Sequence, residues 1–320
     1  MNNKNFLSAV ILGYGNFDET SKKCLDSLIN EARENNVTLL AVDNGSPDDS
    51  AVKLKNYQIN HPSLQIQINS DNLGFGGGMN HAVSYLDSEW VLLINSDIIF
   101  PPQSLSRLIN SLRNCPSEFG IVAPLTNNAG NEQCIHVPGF STENIIQNAS
   151  AIIDNPCGVM TPAYRADFCC VAIKTELWKK LNGLDSQYGK GYYEDFDFSL
   201  RAKEIGYQCV VSEDSFVYHH GSLSFKANPA QKALIHKNKS IFLGRHPQAK
   251  LPHQRECNLS AINFYATQKL TSAIQIRLNL RLELMKKIMP KSFFKKLLWR
   301  KKIKNIENYY SSVNFRTTQI

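Results

Sequence analysis

The chain has 320 residues, 42% hydrophobic and 20% charged, which excludes a disordered protein and allows one large domain or a domain with an appendage. Its formal charge of +7 is unevenly placed: residues 277–304 hold eleven Lys or Arg against the single acid Glu283, so that segment is +10 and the remainder −3. The imbalance argues against a body coated for polyanion binding and for a local contact surface near the C-terminal end.

In chain order, residues 7–12 (LSAVIL) predict a strand. The stretch MNNKNFLSAVILGYG has no small-x-small cleavage site and is broken by Gly13 and Gly15, so a first strand is expected there rather than a signal peptide. Residues 19–35 carry Cys24, Leu28 and Ala32 at helical spacing, and residues 37–44 form a second strand ending on Asp43. A helix over 50–57, a strand over 64–69, a helix over 78–86 after a glycine run, and a strand over 90–95 follow. Such alternation implies a mostly parallel, doubly wound sheet that binds ligands at the carboxyl ends of its strands. Polar clusters stand at three of those ends: Asp43-Asn44, Ser70-Asp71-Asn72 and Asn95-Ser96-Asp97.

Beyond residue 100 the alternation loosens. A helix is expected over 101–114, loops and short strands over 120–165, a strand over 167–173 and a short helix over 175–181. A further helix over 194–205 precedes the strand QCVVS, and helices are expected over 229–243 and after 259. The eight cysteines (24, 115, 134, 157, 169, 170, 209 and 257) show no CxxC spacing, so buried free thiols in a reducing cytoplasm are expected and a zinc site is not. No apolar run reaches the roughly 18 residues needed to span a bilayer.

Four stretches carry chemistry. Asp97 ends the apolar run WVLLINSD, where an unpaired carboxylate costs several kcal/mol or more unless something compensates it. The run NLGFGGGMN places glycines at 74, 76, 77 and 78 before a helix, where backbone N–H groups can approach a phosphate. It is not the dinucleotide fingerprint, and GYGNFD near the first strand lacks that fingerprint's third glycine, so a nicotinamide site is disfavoured. GYYEDFDFSLR sets Glu194, Asp195 and Asp197 among aromatics at a helix start. Three acids exceed what capping needs, and mutual repulsion with desolvation would raise a carboxylate toward use as a general base. Finally, His219-His220 supplies imidazoles that, with Asp97 and a diphosphate, would hold a divalent ion.

Together, VDNGSPDDS, NLGFGGGMN, LLINSDIIF, GLDSQYGKGYYEDFDFSLR and VYHHGSLS, in that order over roughly residues 7–225, closely resemble the bacterial inverting glycosyltransferases of family 2. The similarity is greatest to the rhamnosyltransferase-like group that assembles surface polysaccharides of O-antigen and capsule type. The resemblance implies a GT-A fold: a Rossmann-like, mostly parallel sheet flanked by helices. It would occupy 1–225, with a donor half to about 100 and an acceptor half beyond, followed by a helical, basic extension over 226–320. It implies that Asp43 contacts the base of a dTDP-, UDP- or GDP-linked sugar, and that Asn72, Gly76 and Asn80 lie around that donor. Asn95-Ser96-Asp97 stands in place of the family's DXD motif, with Asp97 as ligand of Mn2+ or Mg2+ and His219 or His220 completing the site. Asp195 is implied as catalytic base and Glu194 as its acidic neighbour. Tyr14-Gly15-Asn16 departs from the usual Tyr-Asn of that loop.

Residues 285–304 mix nine cations with Phe293, Phe294, Leu297, Leu298, Trp299 and Ile303. An amphipathic helix is expected, either docking on the anionic cytoplasmic face of the inner membrane, where a polyprenyl-linked glycan acceptor would reside, or packing on the domain. No aromatic-interleaved sheet or zinc module supports nucleic-acid binding. Two other functions fit the fold: a catalytically silent sugar-nucleotide binder or membrane scaffold, and a sugar-phosphate nucleotidyltransferase.

Overall fold

The computed structural model describes residues 5–221 and 229–317. The domain boundary expected at 225, and Ser222, Leu223 and Ser224 of the last motif, lie outside the described residues. In the first part β1 (Asn5–Gly13), α1 (Ser21–Glu34), β2 (Thr38–Asp43), α2 (Ser50–Asn60), β3 (Gln65–Ile68), α3 (Gly74–Val83) and β4 (Ser88–Asn95) alternate. These strands are parallel, in the order β3-β2-β1-β4. Period-two alternation sorts their side chains onto two faces. Ala9, Ile11, Leu39, Ala41, Leu92 and Ile94 pack with Cys24, Leu25 and Leu28 of α1. Val10, Leu40, Val42, Val91 and Leu93 pack with Met79 and Ala82 of α3 on the other side. Burial on both faces explains why these strands read as continuous apolar runs. The register pairs Gly13 with Asp43 and Leu12 with Asn95, so the polar ends of β2 and β4 lie level beside β1.

The second part is mixed in direction. It comprises β5 (Ile98–Ile99), α4 (Ser104–Arg113), β6 (Phe119–Thr126), α5 (Thr142–Ile153), β7 (Met160–Ala163), β8 (Cys170–Lys174), α6 (Thr175–Lys180), α7 (Glu194–Glu204) and β9 (Gln208–His219). Strand β8 is antiparallel to β4 and extends the sheet through β6 and β9 to β5, with β7 also on β9. Two features depart from the sequence expectation. Helix α5 lies inside the stretch expected to be loops and short strands; its asparagines mask an apolar stripe of Ala149, Ile152 and Ile153, and Ser141 caps it by accepting from Asn144 N at 3.2 Å. Strand β9 runs well past QCVVS, through Glu213 and Asp214, because buried arginines from a C-terminal helix meet those acids.

That helix belongs to the series α8 (Pro229–Arg245), α9 (Gln254–Tyr265), α10 (Ser272–Lys287) and α11 (Phe293–Thr317). Arg281 of α10 is fully buried: it pairs with Glu213 at 3.0 Å, bonds the Tyr265 hydroxyl at 2.7 Å and the Glu132 carbonyl at 2.9 Å. Arg277, equally buried, donates to the carbonyls of Glu213, Ile152 and Ala273. Two of the eleven cations read as a contact surface are thus internal fastenings. Nor is 285–304 one helix: α10 stops at Lys287 and α11 starts at Phe293, with Pro290, which lacks a backbone donor, in the break.

Candidate active site

The strand ends carry the first half of the site. Asp43 is buried at the end of β2, where its Oδ1 accepts from Ser46 N at 3.0 Å. Asn44 reaches sideways: it accepts from Asn69 Nδ2 at 2.9 Å and donates to the Gly74 carbonyl at 3.1 Å, tying the ends of β2 and β3 to the start of α3. Asn72 Oδ1 accepts from Gly74 N at 2.8 Å.

The glycines lie within α3 rather than before it, and two are required by packing. A Cβ on Gly74, at φ +71°, would fall 2.9 Å from Lys190 Cα and still closer to the Gly189 carbonyl oxygen; one on Gly78 would meet the Leu12 methyls at 2.9 Å. Gly76 sits against Leu184. Close approach of neighbouring backbone and side chain requires glycine at 74 and 78. Asn80 braces the loop before α7: its Nδ2 donates to Leu184 O at 2.7 Å and its Oδ1 accepts from Leu184 N at 2.9 Å.

Asp97 stands in the two-residue turn between β4 and β5. Because β5 pairs Ile98 with His219, the turn brings Asp97 beside the end of β9. Asp97 Oδ2 lies 3.4 Å from His219 Nε2. Of the two histidines, His219 is the one whose ring meets Asp97; His220 gives its backbone N–H to Asp97 O at 3.0 Å and stacks edge-on to Tyr218. His219 Nδ1 faces the Asn128 carbonyl at 2.9 Å, which fixes the proton on Nδ1 and turns Nε2 toward the carboxylate. Burial opposes a charge on this ring, but Asp97 and Cys169 outweigh it and push its pKa up to about 11.

The second half of the site is the start of α7. Its three acids have different surroundings. Asp197 is fully buried and accepts from Arg201 Nε at 2.7 Å and the Tyr188 hydroxyl at 3.3 Å, with His246 Nε2 at 2.9 Å; it is a structural anchor. Glu194 is buried with no partner on Oε2, and burial, then the neighbouring Asp195 charge, push its pKa up to about 8. Asp195 is also raised by burial, but Arg165 opposes the rise by donating from Nη1 to Oδ2 at 2.9 Å. Residues 165–169 join the halves: Arg165 reaches Asp195, while the Cys169 carbonyl accepts from Asn95 N at 2.8 Å.

Residues 8–163 match the family model "Glycosyl transferase family 2". They are a glycosyl transferase family 2 domain. This glycosyltransferase is 24% identical over 247 residues to the N-acetylglucosaminyl-diphospho-decaprenol L-rhamnosyltransferase of Mycobacterium tuberculosis, covering 67% of the chain and 77% of the relative. Its fold matches the mannosyltransferase PcManGT from Pyrobaculum calidifontis, solved with GDP-Man and Mn2+, at a TM-score of 0.55 and 14% identity over 97% of the chain and 84% of that protein. GalNAc-T7, solved with UDP, GalNAc and Mn2+, matches at 0.55 and 12% identity over 79% of the chain and 52% of that protein. The fold is therefore that of the GT-A glycosyltransferases.

In the glycosyltransferase, Asp97 and His219 fit a divalent cation. His219 Nε2 and the Asp97 carboxylate face one another at 3.4 Å across a proton that a shared divalent cation would replace, and the Nδ1 contact to a carbonyl is the usual support of a ligating histidine. Among the described residues no cluster of three or more His, Cys, Asp or Glu is arranged around an ion, so further ligands would come from elsewhere, such as the donor's diphosphate.

Sequence reasoning missed Arg165, Asp167 and Asn238. Arg165 sits in YRADF, where an Arg-x-Asp before a strand is an ordinary surface pattern. Asn238 of α8 is buried and donates to the carbonyls of Tyr188 and Gly191, both at 2.7 Å, and of Tyr192 at 3.2 Å. Phe242, one turn on, packs against Tyr193 and Phe196. Nothing local marks a helix 40 residues downstream as the backing of the α7 start.

Proposed function

We propose that the protein moves a sugar from a nucleoside-diphosphate donor to a hydroxyl of a glycan carried on polyprenyl diphosphate, inverting the anomeric centre, in assembly of an O-antigen- or capsule-type polysaccharide. The observation that carries this reading is the Asp97–His219 pair at 3.4 Å, joined through residues 165–169 to the carboxylates at the start of α7. The acceptor class follows that of the mycobacterial relative. On the donor side Asp43, Asn72, Gly76 and Asn95 surround the nucleotide, the side chain of Asn80 acting through Leu184. Mn2+ or Mg2+ held by Asp97 and His219 would offset the charge of the departing diphosphate without a proton. Asp195 takes the proton of the acceptor hydroxyl as it attacks, and Glu194, protonated near neutrality, spares the base a second negative neighbour. One displacement with one base inverts configuration.

The membrane surface is the first turn and a half of α11. Phe293, Phe294, Leu297 and Leu298 are 57–75% exposed, while Trp299, Ile303 and Tyr310 on the other side pack against Ile262, Leu278 and Met285. Lys291, Lys295 and Lys301 flank the exposed apolar face. An apolar face ringed by cations matches an anionic bilayer, to which each cation near the surface adds about 1 kcal/mol. No helix among the described residues is long and apolar enough to cross a membrane.

A thermal-shift screen of dTDP-, UDP- and GDP-sugars with and without Mn2+ selects the donor. That donor with vesicle-borne polyprenyl-diphosphate N-acetylglucosamine should release nucleoside diphosphate. Release of inorganic diphosphate would replace glycosyl transfer by nucleotidyl transfer, and donor binding without any product would favour a silent binder. In the same assay Phe293→Ser with Leu297→Ser should lower binding to anionic vesicles and leave transfer to a short water-soluble acceptor unchanged. Undiminished vesicle binding would overturn the membrane assignment.

A further inference from the structure

The Arg165 guanidinium lies between two carboxylates. Its Nη1 donates to Asp195 Oδ2 at 2.9 Å and to Asp167 Oδ1, and its plane rests on the Phe196 ring with Cζ 3.8 Å from the centroid. Asp167 is itself fixed: its Oδ2 accepts from Gly130 N at 2.7 Å and its N–H donates to Gln133 Oε1 at 2.6 Å. Asn131 Nδ2 holds the Arg165 carbonyl at 2.9 Å. The cation is therefore clamped on one side by a rigid loop and on the other by an aromatic one residue after Asp195, and it has little freedom except to hold that carboxylate. A lysine cannot reproduce the stacking of a planar cation on Phe196.

We propose that Arg165 is a positioning residue that aims the Asp195 carboxylate and keeps it charged, and so sets the acid limit of sugar transfer. The inference rests on the reading of Asp195 as the base. Burial favours a proton on Asp195; the fixed guanidinium is the charged group that opposes it, helped by the Phe196 N–H that Asp195 Oδ1 accepts at 2.8 Å. The other titratable groups facing this pair are Tyr193, Asp167, Glu132, Cys209 and Cys257; burial raises Tyr193, Glu132 and the two thiols. None of these supplies a positive charge to replace it. With Arg165 gone, Asp195 would take up a proton at a pH where the wild type holds it ionised, and activity would be lost from the acid side first.

The test measures kcat/KM for the acceptor from pH 5 to 9 in the full-length protein and in Arg165→Gln, Arg165→Lys and Asp195→Asn, with Mn2+-dependent donor binding followed by thermal shift. Arg165→Gln should bind donor as the wild type does, while its acid limb moves up by at least one pH unit; Arg165→Lys should lie between. If Arg165→Gln does not fold, Arg165→Lys carries the same comparison. An acid limb unmoved in a folded variant, with Asp195→Asn inactive, would overturn the role of Arg165 and leave the base assignment standing. Full turnover by Asp195→Asn would instead remove the base assignment, and this inference with it.

Discussion

The nucleotide side of the site and the base side are held together over different distances along the chain. At the strand ends Asp43 bonds Ser46 and Asn72 bonds Gly74, two or three residues away, and the longer links run between neighbouring parallel strands. Around α7 the partners are remote: Arg165 is 30 residues from Asp195, Asn238 is 47 from Gly191, and His246 is 49 from Asp197. The first kind of site is organised by the sheet itself. The second exists only once the C-terminal helices have docked, so it should fail differently when broken.

The sharpest contrast comes from one substitution on each side. Asp195→Asn keeps the shape, exchanges one acceptor oxygen for an amide donor and removes the base, and it should lower turnover by roughly 10²–10⁴ while Mn2+-dependent donor binding persists. His219→Ala should do the reverse in kind: the rise in thermal midpoint with donor plus Mn2+ should shrink, with affinity down on the order of tenfold, about 1.4 kcal/mol. The comparison breaks if Asp195→Asn loses donor binding as well, or if His219→Ala responds to Mn2+ as the wild type does.

The same contrast explains what the sequence made legible. Strand ends are local: apolar runs of period two closed by Asp43, Asn72 and Asp97 announce the sheet, its ligand edge and the first half of the site. Even there the packing demand on Gly74 and Gly78 was not legible, since it depends on Gly189, Lys190 and Leu12 packed opposite. At α7 the sequence showed three carboxylates but not their fates. Asp197 became an anchor because Arg201, Tyr188 and His246 converge on it, and Asp195 and Glu194 parted because Arg165 touches only one of them. Similarly, the basic segment looked uniform until folding sent Arg277 and Arg281 inward to Glu213 and left Phe293 and Phe294 outside.

Asn238 offers the smallest and most specific test of remote support. The turn it holds contains two tyrosines in left-handed backbone, Tyr192 at φ 74° and Tyr193 at φ 75°, a conformation that costs roughly 1–2 kcal/mol per residue. A side chain that donates to the carbonyls at 188, 191 and 192 compensates that strain and fixes where α7 begins. Asn238→Ala removes the donor and leaves buried carbonyls unpaired, so stability should fall by about 1–3 kcal/mol and kcat severalfold, with donor affinity unchanged. Asn238→Asp should be worse than alanine, because it sets carboxylate oxygens against carbonyl oxygens. An aspartate variant as stable as wild type would show that the strained turn stands without α8, and the base side would then be as self-sufficient as the strand ends.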